Sequence, residues 1–374
     1  MIQAEYCLLY HQLNQNESKS TDDPSEETNN AYWQTFEWTS HELQETQEIL
    51  ESNLSTSDLI QNHPQGRGQY IKDNLEHNAH QHWDKFYTHH QTKFFKDRHY
   101  LHKAFPQEFG ILYPKSRYDA KHTPFDTNTY NDDNDANESH DTFTVMEIGC
   151  GVGNTVLPLL ELHPWIVKPH SKEKQLLQVW GLDFSSIAID LLKQDERFLQ
   201  DNNNNNNHPW KNATTISPRA HAAVWDITQE FPQDIYSQLH QAADISMLLF
   251  CFSAIAPSKM VQAAKHVADT LKPGGVLIFR DYGRYDEAQI KLGTSRRKRL
   301  GDNYYVKHDL TRVYYFDLED LRRLFGRNDS HDKECVGAGL EVLELKYIQR
   351  LYTNRSKGDV RRRVWVQGRF RKPM

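Results

Sequence analysis

The chain has 374 residues, 37% of them hydrophobic and 25% charged, with a formal net charge of −7. That length holds one large domain or two modest ones. No stretch nears the roughly 20 apolar residues that span a bilayer, and four scattered cysteines (Cys7, Cys150, Cys251, Cys335) exclude a disulfide framework or a zinc knuckle.

The N-terminus, MIQAEYCLLYHQLNQNE, has no basic n-region, no sustained apolar core and no Arg-rich character. Neither a secretory signal nor a transit peptide is expected, and the cytoplasm is the expected compartment. Residues 1–60 carry twelve acids and one base, a net of −11, which leaves +4 for the remainder. Residues 1–65 are read as mostly disordered, with the aromatic NAYWQTFEW (Asn30 to Trp38) as a candidate docking segment for a partner. Residues 66–113 are read as a helical segment. Within them HWDKFYTHHQTKFFKDRHYLHKAF mixes aromatic and basic residues at helical spacing. His77, His80 and His82 lie in polar surroundings without a nearby cysteine, and no metal site is expected.

Residues 114–141 form a polar, loop-like insertion. From 142 to 374 strands and helices alternate, interrupted by a low-complexity insertion at 200–218 that contains DNNNNNNHP. Strands are predicted at TFTVMEIG, LLQVWGLD, RAHAAVWD, ADISMLLF and GGVLIFRD. Helices are predicted around 154–163, 185–195, 257–271 and 317–326. Two further strands, LEVLELKYIQRLY and RRRVWVQGRF, close the chain as an antiparallel hairpin. The pattern predicts an α/β, Rossmann-like fold with a mostly parallel sheet, its ligand at the C-terminal strand ends.

Three glycines, Gly149, Gly151 and Gly153, follow the first of these strands and precede a helix. They allow a tight turn and leave amides near a helix N-terminus. The spacing G-x-G-x-G, preceded by Glu147, departs from the G-x-G-x-x-G of dinucleotide sites, which argues against an NAD-dependent oxidoreductase. An acid beside the turn suits S-adenosyl-L-methionine, which carries an ammonium, a carboxylate and a sulfonium. Asp183 ends the second strand, where a carboxylate accepts both hydrogen bonds of a ribose diol. Asp226 ends the third, within reach of an adenine amine. Asn154, Phe184, Ser185 and Phe250 complete the candidate cofactor set.

The strings HWDKFYTHHQTKFFKDRHYL, MEIGCGVGNTVLPLL, LDFSSIAID, LLFCFSAIAPSKM, LKPGGVLIFRDYGRYDEAQIK, NYYVKHDLTRVYYF and NRSKGDVRRRVWVQGRFRKP together resemble the tRNA N3-methylcytidine methyltransferases. The resemblance spans roughly residues 80 to 374 apart from the insertions, and NAYWQTFEW is similar to the branch acting on threonine tRNAs. It implies a class I methyltransferase fold with a seven-stranded sheet, and methylation of cytidine 32 in the anticodon loop, with serine and arginine tRNAs as further candidates. It also implies that Gly149, Gly151 and Gly153 line the methionine tail, that Asp226 and Ile227 frame the adenine, and that Trp83 and Tyr87 close over the cofactor. Tyr100 stands where the family usually has Trp, and Leu310 where it usually has Gly.

The N3 of neutral cytosine has a lone pair and no proton to lose, so methyl transfer needs positioning and a home for the new positive charge rather than a general base. Arg280, Asp281 and Tyr282 at the fifth strand end are the candidate catalytic residues, with an Arg280–Asp281 structural ion pair as the alternative. A flipped base needs aromatic or guanidinium surfaces, for which Phe94, Phe95, Arg98, Tyr314 and Tyr315 are candidates beside Lys96 and His99. Arg296, Arg297, Arg299, Arg312, Arg361, Arg362 and Arg363 are candidate phosphate grips, and the same basic C-terminal tract continues through Arg369, Arg371 and Lys372. The competing expectations are a methyltransferase of another RNA base or of protein, and a non-catalytic tRNA-binding scaffold.

Overall fold

The computed structural model describes residues 33–52, 67–112, 141–162, 164–167, 174–202, 219–295, 298–327, 337–353 and 360–374. A short strand, β1 (Trp33–Thr35), and a helix, α1 (Ser40–Ser52), come first. Helices α2 (Arg67–His77), α3 (Ala79–His90), α4 (Leu101–Ala104) and α5 (Pro106–Phe109) follow. The alternating part opens with β2 (Thr142–Ile148), α6 (Val156–Leu160), β3 (Trp165–Val167), β4 (Lys174–Asp183), α7 (Ser186–Gln194) and α8 (Glu196–Asn202). It continues through β5 (Ala220–Val224), α9 (Tyr236–Leu239), β6 (Ala243–Leu249), α10 (Pro257–Thr270), β7 (Leu271–Tyr282) and α11 (Glu287–Gly293). Strands β8 (Arg299–Gly301), β9 (Tyr304–Val306) and β10 (Arg312–Tyr314), helix α12 (Leu318–Phe325) and the long strands β11 (Glu341–Thr353) and β12 (Val360–Arg371) complete it.

Nine strands form one sheet in the order β1-β11-β12-β7-β6-β2-β4-β3, with β5 also beside β4. The central pairs β4/β5, β2/β4, β2/β6 and β6/β7 are parallel. The terminal hairpin enters antiparallel, with β12 against β7. Seven of these strands are the ones expected. The other two, β1 and β3, add antiparallel edges. Strand β1 covers the flank of β11, whose backbone groups are otherwise an open edge. Within the first 65 residues, read as mostly disordered, Trp33–Thr35 and Ser40–Ser52 are a strand and a helix. Of the two expected insertions, residues 114–140 and 203–218 lie outside the described residues, while 200–202 end helix α8.

Alternation along the buried strands builds a core on each face. Val145, Met247 and Ile278 pack with Leu101 of α4, Phe109 of α5 and Phe105 between the two helices. Met146, Leu248 and Phe279 pack with Met260 and Val267 of α10 and Leu321 of α12. Local signals place the helices. Ser185 caps α7 by accepting from the Ala188 amide (3.2 Å), and Asp317 and Asp320 form a capping box at α12. Strand order reverses between β4 and β6 on either side of β2, so the crevice opens at the C-terminal end of β2. Strands β8 to β10 form a separate small sheet, which carries the seat for α2: Leu75 packs on Leu300, Tyr304 and Val306. None of the described helices is long and apolar enough to cross a membrane.

Candidate active site

Gly149, Gly151 and Gly153 all have positive φ (74°, 55° and 88°), as the turn after β2 requires. A Cβ on Gly151 would stand 2.6 Å from the Tyr87 hydroxyl, and one on Gly153 would run into Leu192 of α7. The second absence therefore serves helix packing, and Gly153 does not border the cavity described below. The turn is tied to the next strand: Asp183 accepts from the amides of Gly151 (2.8 Å) and Ser185 (2.9 Å). Beneath it Glu147 is fully buried. Its Oε1 accepts from the Thr155 hydroxyl (2.7 Å) and from Arg98 Nη1 (3.1 Å), while its Oε2 is buried without a partner. Burial pushes the Glu147 carboxyl up to about 7 against the pull of Arg98, and Asp183 up to about 6.

A cavity of about 590 Å³ lies between the strand ends and the helix pair α2–α3. Of the expected cofactor residues, Trp83, Tyr87, Gly149, Asp183, Phe184, Asp226, Ile227 and Phe250 line it. Trp83 and Tyr87 stack at 5.9 Å and form its roof. Glu147, Gly151, Asn154 and Ser185 stand behind the wall. The Asn154 amide donates to Phe95 O and Asp97 Oδ1 (3.3 and 3.2 Å), and Ser185 Oγ to Asp84 (2.5 Å). Asp73, Glu76, His77, His80, Thr228 and Lys259 also line the cavity and were not among the expected cofactor residues, His77 and His80 having been weighed only as metal ligands. The spacing 73, 76, 77, 80, 83, 87 is a helical stripe, the signal that was available for the first four of them.

At the end of β7 the three expected catalytic residues separate. Asp281 is fully buried, accepting from the amides of Ser253 (2.9 Å) and Tyr282 (2.8 Å), and burial pushes it up to about 6. The Tyr282 ring lies 5.3 Å from Phe250 and beneath Arg363 (5.6 Å). Arg280 points to the other face. Its Nε donates to Gln367 (3.0 Å) and its guanidinium sits among Tyr100, Phe105 and Trp365. Neither of the two contacts expected of it is seen: the geometry shows no Arg280–Asp281 ion pair, and the strand's alternation turns it away from the cavity. Phe250 itself is held at φ +58°, a region costly for a bulky side chain, with its N–H on Arg280 O (2.8 Å).

The expected RNA contacts divide sharply. Phe94 and Phe95 are exposed (54% and 37%) and form an aromatic platform with His90, flanked by exposed Lys96 and His99. Arg98, by contrast, is turned inward to Glu147. Tyr315 is buried and Tyr314 half-buried, its hydroxyl on Asp320 (3.2 Å). Most of the cationic grips are already paired: Arg361 with Glu287 (3.0 Å), Arg362 with Glu42 (2.8 Å), Arg363 with Asp286 (3.0 Å) and Arg312 with Glu76. Arg299 is buried on Leu50 O (2.9 Å), and Arg369 is buried on Glu108 (2.8 Å). Arg296 and Arg297 lie outside the described residues.

The donor set fits S-adenosyl-L-methionine. It offers a carboxylate at the ribose position, a second at the adenine end, an unspent carboxylate oxygen under the glycine turn and an aromatic roof, while the cation near the turn, Arg98, is turned to Glu147. The methyltransferase domain family matches residues 87–329. The tRNA N(3)-cytidine methyltransferase METTL2 of Danio rerio is 31% identical over 360 residues, covering 94% of this chain and 87% of that protein. The tRNA N(3)-methylcytidine methyltransferase Mettl2 of Drosophila melanogaster is 34% identical over 309 residues, covering 81% and 74%. The tRNA(Thr) (cytosine(32)-N(3))-methyltransferase of Saccharomyces cerevisiae is 30% identical over 345 residues, covering 91% of this chain and 43% of that protein. With its fold, its cofactor cavity and these relatives, the chain belongs to the S-adenosyl-L-methionine-dependent tRNA N3-cytidine methyltransferases.

Proposed function

We propose that this protein methylates N3 of cytidine 32 in the anticodon loop of threonine tRNAs. The observation that carries the reading is Phe250, which borders the cofactor cavity and also touches Tyr282 and Trp365 (5.3 and 5.7 Å) at the end of β7. A flat base entering there meets aromatic faces on one side and the cavity on the other. S-adenosyl-L-methionine supplies an electrophilic methyl group on a sulfonium. Trp83 and Tyr87 hold that ligand from above, Asp183 takes its ribose, and Asp226 with Ile227 its adenine. Asp281, clamped by two backbone amides, is a preorganised negative charge for the cation that appears on the methylated base. No side chain has to remove a proton from N3.

The exposed Phe94–Phe95–Lys96 stretch suits a loop with splayed bases, by stacking and charge. We read the place of work as the cytoplasm, whose reducing conditions suit the free Cys150 and Cys251. A helper protein docking through the acidic N-terminal segment belongs to the same reading. The test is transfer of labelled methyl to total tRNA from cells lacking this protein, followed by nucleoside analysis. The expected product is 3-methylcytidine in threonine tRNA, with Asp281→Asn about 100-fold slower. Methyl on another base or on protein would overturn the reading.

A further inference from the structure

The cavity's far end is closed by a single acid shared between two cations. Glu76, near the end of α2, meets Lys259 Nζ on α10 at 2.5 Å and also binds Arg312 on β10. All three side chains line the cavity. Glu76 is half-buried and Arg312 buried, while Lys259 is over a third exposed (38%). Only Asn78 separates α2 from α3, and α3 carries the Trp83–Tyr87 roof. Where Glu76 is held therefore decides where those two rings lie. The attachment spans two bodies: Lys259 belongs to a helix of the main sheet, Arg312 to the small sheet. The small sheet also seats Leu75 and brings Lys307 Nζ to 5.4 Å from the Trp83 ring.

We infer that Glu76 is a positioning residue for methyl transfer, a two-cation clasp that holds the α2–α3 pair closed over the bound cofactor and must open for S-adenosylhomocysteine to leave. Through this one carboxylate α2 is tied to both α10 and β10. Removing one partner of such a group, half withdrawn from water, costs more than at the surface, because the remaining charge is left less compensated. The inference also explains why Arg312, a natural phosphate grip by sequence, is not free for RNA. It rests on the cofactor site proposed above.

The experiment is stopped-flow dissociation of S-adenosylhomocysteine from the whole protein, with KM for S-adenosyl-L-methionine, for the wild type, Lys259→Met, Lys259→Arg and Glu76→Gln. Lys259→Met is the informative variant, because it removes one arm without stranding buried Arg312. Dissociation should quicken about ten-fold, equal to about 1.4 kcal/mol, with a KM rise larger than any fall in kcat. Lys259→Arg should restore slow release. Glu76→Gln should quicken release further, and adding Lys259→Met to it should change little, since both act through one bond. Equal release rates for wild type and Lys259→Met, or a Lys259→Met effect undiminished in the Glu76→Gln background, would overturn the clasp while leaving the cofactor site standing. No binding of S-adenosylhomocysteine by the wild type would overturn the cofactor site and the clasp together.

Discussion

Replacing Glu147 by Gln isolates the electrostatic cost of the glycine turn. Burial raises this carboxyl from 4.5 to about 7, opposed by Arg98 and Thr155. The unfolded chain therefore ionises near 4.5, while the folded, cofactor-free protein keeps its proton to about 7. Between those values the unfolded state binds fewer protons, so stability falls as pH rises. Below 4.5 both states are protonated and the effect vanishes. Above 7 it has reached its full size, about 3 kcal/mol at 1.36 kcal/mol per tenfold. Gln holds the neutral form at every pH, so the variant escapes the loss. Urea titrations of both proteins without cofactor at pH 4.5, 6, 7 and 8 should show Glu147→Gln gaining on the wild type by about 3 kcal/mol across the series. Asp183 and Asp281 shift in the same direction but cancel in the difference. A stability difference independent of pH would refute the reasoning. The loss is tolerable if the ligand's ammonium recovers it, so the same variant should bind S-adenosylhomocysteine more weakly at pH 8.

Leu310 is exposed (47%) at φ +66°; Leu310→Gly relieves a left-handed conformation worth about 1–2 kcal/mol but loosens the unfolded chain by about half that. A small rise in melting temperature is expected, and a fall would show that the side chain packs. Leu50 is buried against Gly293, so Leu50→Ala should cost about 2 kcal/mol in denaturant titration; a loss below 0.5 would mean that α1 adds no stability. On the exposed platform, Lys96→Gln should flatten the salt dependence of tRNA binding by about 0.7 in log–log slope, whereas Phe94→Ala should weaken binding by about 1–3 kcal/mol with the slope unchanged. Filter-binding titrations from 50 to 200 mM salt separate the two.

What this chain determined by itself is local. Three glycines between an apolar strand and an apolar helix specify a turn at positive φ, since only glycine enters that region freely. Asp183 closes β4 and Asp226 follows the end of β5, because a carboxylate past a parallel strand's end meets solvent or ligand rather than the core. The family resemblance followed from such strings, and so did the sheet. What only the tertiary structure decided is which charges remain available. Arg312 is taken by Glu76, 236 residues away, and Arg362 by Glu42, 320 residues away. Arg280 and Asp281 part company because a strand turns neighbours to opposite faces. The acidic N-terminal segment, read as mostly disordered, supplies an edge strand and the partner of a basic one. A charge's role depends on what lies within about 4 Å of it in space, and a one-dimensional pattern holds that information only for neighbours on the same helix or strand.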